Sequence, residues 1–344
     1  MHWTTIFMAL SNPRNKALRA FWILLTVLLF PAPLRAQQLY TGSASLVAEE
    51  VDRVYVRGLQ FLVRTQSPQG TWPDEPRGNE PALNGLAVIS LLAHGDDPNF
   101  GPYSATIHRA LDAILKSMDA QTGYIGNSMY NHGFATLALA ESYGAVDDPR
   151  LGPALQKAVR LIVNAQKLNP LHAWRYSPES QDADITVSGA QMVALLAARN
   201  AGMVVPEEAI QNGLKFFLSC QTPEGGFGYI SPKAPNATRS AIACVVLALA
   251  REKNSAAFKS AFAFLRNTQP DQAYPQYFLY YASQAWFHGS PESWQRWNRA
   301  NIAALRATQT PDGNWEGQLG PTFATAGSLL SLALNYRYLP IYER

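Results

Sequence analysis

The chain has 344 residues, 47% of them hydrophobic, and a formal charge of +3. Residues 1–36 hold four of the basic residues (Arg14, Lys16, Arg19, Arg35) and no acidic one, which leaves 24 basic against 25 acidic residues, a formal charge of −1, in the remainder. That balance removes the electrostatic warrant for nucleic acid or an anionic membrane surface as a partner, and two cysteines are too few for a disulfide-dependent scaffold.

In chain order, the first element reads as an export signal. A basic start precedes the apolar run Ala20–Phe30, broken only by Thr26, and Pro31–Ala36 offers cleavage after Ala36. The run is well short of the roughly 20 residues of a membrane span. The expectation is a signal peptide over 1–36 and a periplasmic or secreted domain over 37–344; an uncleaved N-terminal anchor is the alternative.

Beyond it, helices come in pairs. Val51, Val54, Tyr55, Gly58, Leu59, Leu62 and Val63 mark one face of an amphipathic helix ending at Gln66. After a Pro/Gly-rich loop, Ala82–Ala93 is apolar on nearly every side. The one-faced type recurs at Ala105–Asp119, Pro153–Gln166, Glu207–Gln221, Ala256–Gln269 and Glu292–Gln309. Its all-round apolar partner recurs at Tyr130–Tyr143, Val187–Ala201, Thr238–Arg251, Tyr277–Phe287 and Thr322–Tyr336. Six pairs predict twelve helices: an outer ring with one wet face and an inner set with none. Closure into a ring is favoured because an open stack would wet an inner face. The expected fold is an all-α α6/α6 toroid. Cys220 and Cys244, at different heights on adjacent helices, are read as free buried thiols.

Between the two helices of a pair lies a repeated element: Gln66…Gly70…Trp72, Gln221…Gly225…Phe227 and Gln309…Gly313…Trp315, degenerate at Met118…Gly123 and Gln166…Trp174. This Gln-x3-Gly-x-Trp spacing resembles the repeat of squalene–hopene and oxidosqualene cyclases and of protein prenyltransferase β subunits. The resemblance covers all of residues 37–344 and implies the toroid fold; the motif itself is structural. It also implies a functional mouth where loops enter the inner helices, among Glu80, Asn84, Asn131, His132, Asp182, Asp184, Thr186, Ser188, Arg239, Tyr277, Tyr280 and Thr322.

Chemistry there is less sharply written. Gln181–Gly189 resembles the Asp-x-Asp-Asp-Thr motif of class II terpenoid cyclases, which protonate an alkene with its middle Asp. Asp182 matches the first carboxylate, Asp184 the proton donor and Thr186 the Thr, but Ile185 replaces the last Asp. The same residues also read as an N-cap for the helix from Val187. Squalene-type cyclases resemble two fused barrels, and this chain has sequence for one. The prenyltransferase zinc pattern Asp-x-Cys is missing, and His132 with Asp182 or Asp184 makes too small a ligand set, so neither metal nor cofactor is expected. Asp182 and Asp184 could also act as a glycosidase pair. The tyrosines of the fifth repeat either line a cavity or fill the core. The leading expectation is a toroid binding an apolar or isoprenoid ligand, or a protein partner, through His132, Arg239, Tyr277 and Tyr280, without assignable catalysis. The alternative is a diverged class II cyclase with Asp184, beside Asp182, as proton donor. Oligomeric state is not legible.

Overall fold

Alternation between one-faced and all-round apolar helices builds the fold. The computed structural model describes residues 44–73, 76 and 78–342; the export signal expected over 1–36 lies outside them. The described residues contain twelve α-helices and a terminal 3-10 turn. The outer helices are α1 (Ala44–Thr65), α3 (Ser104–Lys116), α5 (Leu151–Leu168), α7 (Glu207–Ser219), α9 (Ala256–Asn267) and α11 (Pro291–Thr308). The inner ones are α2 (Pro81–Leu92), α4 (Met129–Ser142), α6 (Ile185–Asn200), α8 (Ala237–Leu249), α10 (Pro275–Gly289) and α12 (Pro321–Ala333). These agree with the predicted helices to within a few residues; only α1 extends well before its periodic face. One compact unit spans Glu50–Arg344 and the other Met1–Glu49, of which only the start of α1 is described.

Each inner helix packs on the next in chain order, and α12 packs back on α2, so the ring is closed. Small residues permit this approach: a Cβ on Gly85 of α2 would sit 2.7 Å from the Phe134 carbonyl of α4. Outer helices bury only the stripe facing the ring, such as Ile107, Ala110, Leu111 and Ile114 in α3.

The repeated loop element staples neighbouring pairs. Gln66 Nε2 donates to Thr106 O at the start of the next outer helix (3.0 Å), Gln166 to Ala209 O (2.8 Å) and Gln221 to Ala257 O (3.0 Å). Gln309, at the end of the last outer helix, donates to Val54 O of the first (2.9 Å), so the ring seam repeats the same bond. Arg57 Nη2 adds bonds to Thr310 O and Pro311 O, and Arg306 pairs with Glu50. Trp72, Trp174 and Trp315 are buried, and each indole N–H donates to a carbonyl of the preceding outer helix (Leu62, Ile162 and Leu305).

The glycine of the element turns the chain at positive φ against the neighbouring helix. Gly225 has φ +94°, and a Cβ there would lie 2.6 Å from Ser260 O. Gly225→Ala is therefore expected to cost about 2 kcal/mol from the left-handed backbone alone, read as a lower urea midpoint at unchanged m-value.

The far end of the barrel is filled from the chain's own tail. Ile341 and Tyr342 of the turn Pro340–Tyr342 are buried, and the turn packs on α6. The Ile341 N–H faces Glu141 Oε2 across 3.5 Å. Cys220 and Cys244 are both free and buried.

Candidate functional site

All six inner helices begin at the same end of the ring, and each shows a partly exposed side chain in its first turn: Ala82, Tyr130, Thr186, Arg239, Tyr277 and Phe323. Their neighbours Leu83, Asn131, Val187, Ser240, Phe278 and Ala324 are buried. Tyr130 on α4 and Tyr277 on α10 stand on opposite sides of the ring, close enough to interact electrostatically. One turn deeper, Phe134 and Tyr280 of the same two helices meet across the axis with ring centroids 6.1 Å apart. That contact closes the channel. The ring is thus plugged roughly one helical turn, about 5 Å, below its mouth, so that a bowl there is no deeper than this, and the buried Tyr281 packs edge-on to Tyr277 at 5.2 Å.

Asp184 forms the chemical centre of the bowl. It is fully buried and is the N-cap of α6. Its Oδ1 accepts from the N–H groups of Thr186 (2.8 Å) and Val187 (3.0 Å) and from the Thr186 hydroxyl (2.5 Å). Tyr130 in turn donates to Thr186 Oγ1 (2.5 Å), so a hydroxyl relay runs from α4 to the carboxyl. Oδ2 makes no hydrogen bond. Its nearest charge is Arg175 Nε at 3.7 Å. Burial raises the carboxyl pKa against the opposing pull of these hydrogen bonds and of Arg175. The capping role expected from sequence is therefore real, and it occupies one oxygen only.

The other residues singled out in the sequence divide sharply. Asp182 lies on the rim, its side chain 66% exposed, with Arg175 Nε 3.6 Å away. Tyr277 lines the bowl, and Tyr280 lies beneath it as part of the plug. Arg239 holds the loop before α8, donating to Ala234 O (2.5 Å) and Phe227 O (3.3 Å), and approaches the Tyr229 ring. His132 is fully buried. Its Nδ1 accepts from the Ile125 N–H (3.1 Å) and its Nε2 meets Ala158 O (3.1 Å), so both ring nitrogens serve the backbone. Burial lowers its pKa to about 4, which keeps the ring neutral.

Sequence reasoning missed Tyr130, Arg175, Tyr176 and Tyr229. Tyr176 and Tyr229 join through their hydroxyls (2.8 Å), and the Arg175 guanidinium lies over both rings at 4.9 and 5.1 Å. The available signal was position: Arg175 and Tyr176 follow Trp174, and Tyr229 follows Phe227, just beyond the repeated aromatic on the way into an inner helix.

The fold defines the class: an all-α toroid of six helix pairs closed into a ring. Within it, the chain belongs to the family described as a domain of unknown function, DUF6288, whose model matches residues 52–311. No curated protein matches the chain in sequence. Among solved structures, the type II terpene cyclase MstE from Scytonema superposes with TM-score 0.61 at 15% identity, covering 85% of this chain and 99% of that one. The GH76A α-1,6-mannanase from Salegentibacter, as an inactive double Asp-to-Ala variant with α-1,6-mannotetrose, gives 0.63 at 10% identity over 82% and 98%. A protein from Actinoplanes gives 0.52 at 16% identity over 84% and 99%. At such identities the likeness is one of fold. The MstE chain, like this one, has the extent of a single toroid.

Proposed function

We propose that this toroid, exported by the signal expected over residues 1–36, binds a ligand with an apolar isoprenoid-like body in the mouth bowl, against Tyr130 and Tyr277. The observation that carries the reading is Asp184 Oδ2, a fully buried carboxyl oxygen with no hydrogen-bond partner at the edge of an aromatic bowl. Burying such an atom unpaired costs about 1–3 kcal/mol, and a ligand donor or acceptor there would recover it. The ring faces supply apolar contact and dispersion for the body.

A second reading is favoured by the same oxygen. Burial shifts Asp184 towards its protonated form, and with Oδ1 committed to Thr186 and Val187 the proton belongs on Oδ2. That is the arrangement of a general acid able to protonate an alkene laid across the bowl. Against it stand the shallow bowl and Ile185, buried where the resemblance calls for another carboxylate.

Asp184→Asn separates the two, since its amide oxygen can take the Oδ1 position and preserve the cap. Purified protein is incubated with squalene, farnesol or geranylgeraniol, passed through gel filtration, and the organic extract is read by mass spectrometry. Binding predicts that an isoprenoid co-elutes unchanged with both forms, within a few-fold in affinity. Proton-transfer catalysis predicts a cyclised product that disappears in the variant. If nothing co-elutes and nothing is converted, both readings fail.

A further inference from the structure

Arg175 is the one mouth residue whose chemistry the apolar-ligand reading leaves unused. Its side chain is 21% exposed, and the closest acceptors, Asp182 Oδ2 and Asp184 Oδ2, lie 3.6 and 3.7 Å from Nε, beyond hydrogen-bond range. A guanidinium carries five N–H donors in a planar fork. None of them makes a hydrogen bond among the described residues, while the Tyr176 and Tyr229 rings cover the group's face. Its N–H edge is the part of such a group that matches a carboxylate or phosphate in bidentate fashion.

Helix termini add positive potential at the mouth, against the carboxylates of Asp182, Asp184 and Asp271. Six inner helices direct their N-termini there, each equivalent to about half a positive charge. Three of them, α2, α10 and α12, begin without a side-chain cap. Beside Arg175, Asp184 Oδ2 is buried and unpartnered. Burial raises the Asp184 pKa, and a proton carried on this oxygen would face an anionic acceptor. The local charges also select the anion. Arg175 is already balanced in part by exposed Asp182, so one further negative charge fits better than two.

From this geometry we infer that the ligand of the mouth carries a carboxylate head, held between the Arg175 guanidinium and Asp184 Oδ2, with its apolar body against Tyr130 and Tyr277. The inference rests on the mouth being the ligand site, as proposed above, and adds the class of ligand: an amphiphilic monocarboxylate. Arg175 then sets specificity by charge, and the tyrosines set it by shape.

The test compares three molecules with one chain and different heads: farnesol, farnesoate and farnesyl monophosphate. Each is titrated calorimetrically into the purified protein at pH 7. Farnesoate is expected to bind at least tenfold more tightly than farnesol, about 1.4 kcal/mol. Arg175→Gln should reduce farnesoate to the level of farnesol without moving farnesol itself, and Arg175→Lys should keep part of the preference. Unfolding midpoints of both variants check that they fold. Equal affinity for farnesoate and farnesol, or a preference that survives Arg175→Gln, would overturn the inference while leaving the mouth as an apolar site. Tighter binding of the monophosphate than of farnesoate would overturn the assignment of a carboxylate. Binding of none of the three would sink the mouth reading itself.

Discussion

Trp72→Ala is expected to destabilise the protein by about 3–5 kcal/mol, the range for removing a large buried aromatic from a packed core. Trp72 is completely buried, and its indole N–H bonds Leu62 O at 2.8 Å, so truncation opens a cavity and strands a carbonyl. Typical total stabilities are 5–15 kcal/mol, so one such change consumes a large share. The fourth repeat supplies an internal control. Phe227 occupies the equivalent place, also fully buried and without an indole donor. Trp72→Phe should therefore cost only about 1–2 kcal/mol, chiefly the lost hydrogen bond. Urea titrations of both variants check the difference. Equal losses for Ala and Phe would mean that the bond, rather than the ring, holds the pair together.

Glu141 should make the protein less stable as pH rises. It lies 4% exposed at the base of the barrel, near Tyr280 and Tyr342, with the Ile341 N–H as its only described hydrogen-bond donor. Burial raises its pKa from 4.5 to about 8, and the Ile341 N–H opposes the shift. A folded state that holds its proton more tightly than the unfolded state loses stability with increasing pH. The contribution is intact below pH 4.5 and lost progressively up to about 8; at pH 7 the loss is about 3 kcal/mol, from 1.36 kcal/mol per unit. Glu141→Gln should remove this slope and be the more stable protein at pH 7–8. His132 acts in the opposite sense between about 4 and 6.5, because its pKa falls on folding, and Asp184 has the same sign as Glu141. Subtracting the variant's unfolding free energy from that of the parent isolates Glu141. A difference that stays flat from pH 5 to 8 would show that water reaches the carboxylate in the folded state.

The toroid was legible because its pairing logic is local. A helix apolar on every side cannot be exposed, and Gln, Gly and Trp at fixed spacing mark where an outer helix stops. Gln66, Gln221 and Gln309 were read as structural, and the structure adds that each reaches the next outer helix. Asp184 was also visible, because an N-cap announces itself at the start of an apolar run. The companions that define its chemistry were not. Tyr130 and Thr186 belong to different repeats, 56 residues apart. Arg175 comes from a loop, and only the fold brings it beside both aspartates. The bonding of His132 was invisible in one dimension: backbone groups at Ile125 and Ala158 claim both nitrogens. Periodicity also could not show that Phe134 and Tyr280 meet across the axis and that Tyr342 fills the base, since these contacts join opposite sides of a ring.

The seam bond from Gln309 to Val54 makes the order of the repeats in the chain almost arbitrary. The junction between last and first pairs uses the same donor, the same class of acceptor and the same glycine turn, Gly313 against Arg57, as the covalently continuous junctions at Gln66 and Gln221. The toroid behaves as a cyclic chain with one missing peptide link. A circular permutation that moved the gap to a loop such as Gly144–Asp148 would leave all of these staples in place, so the architecture has an inside and an outside but no first repeat.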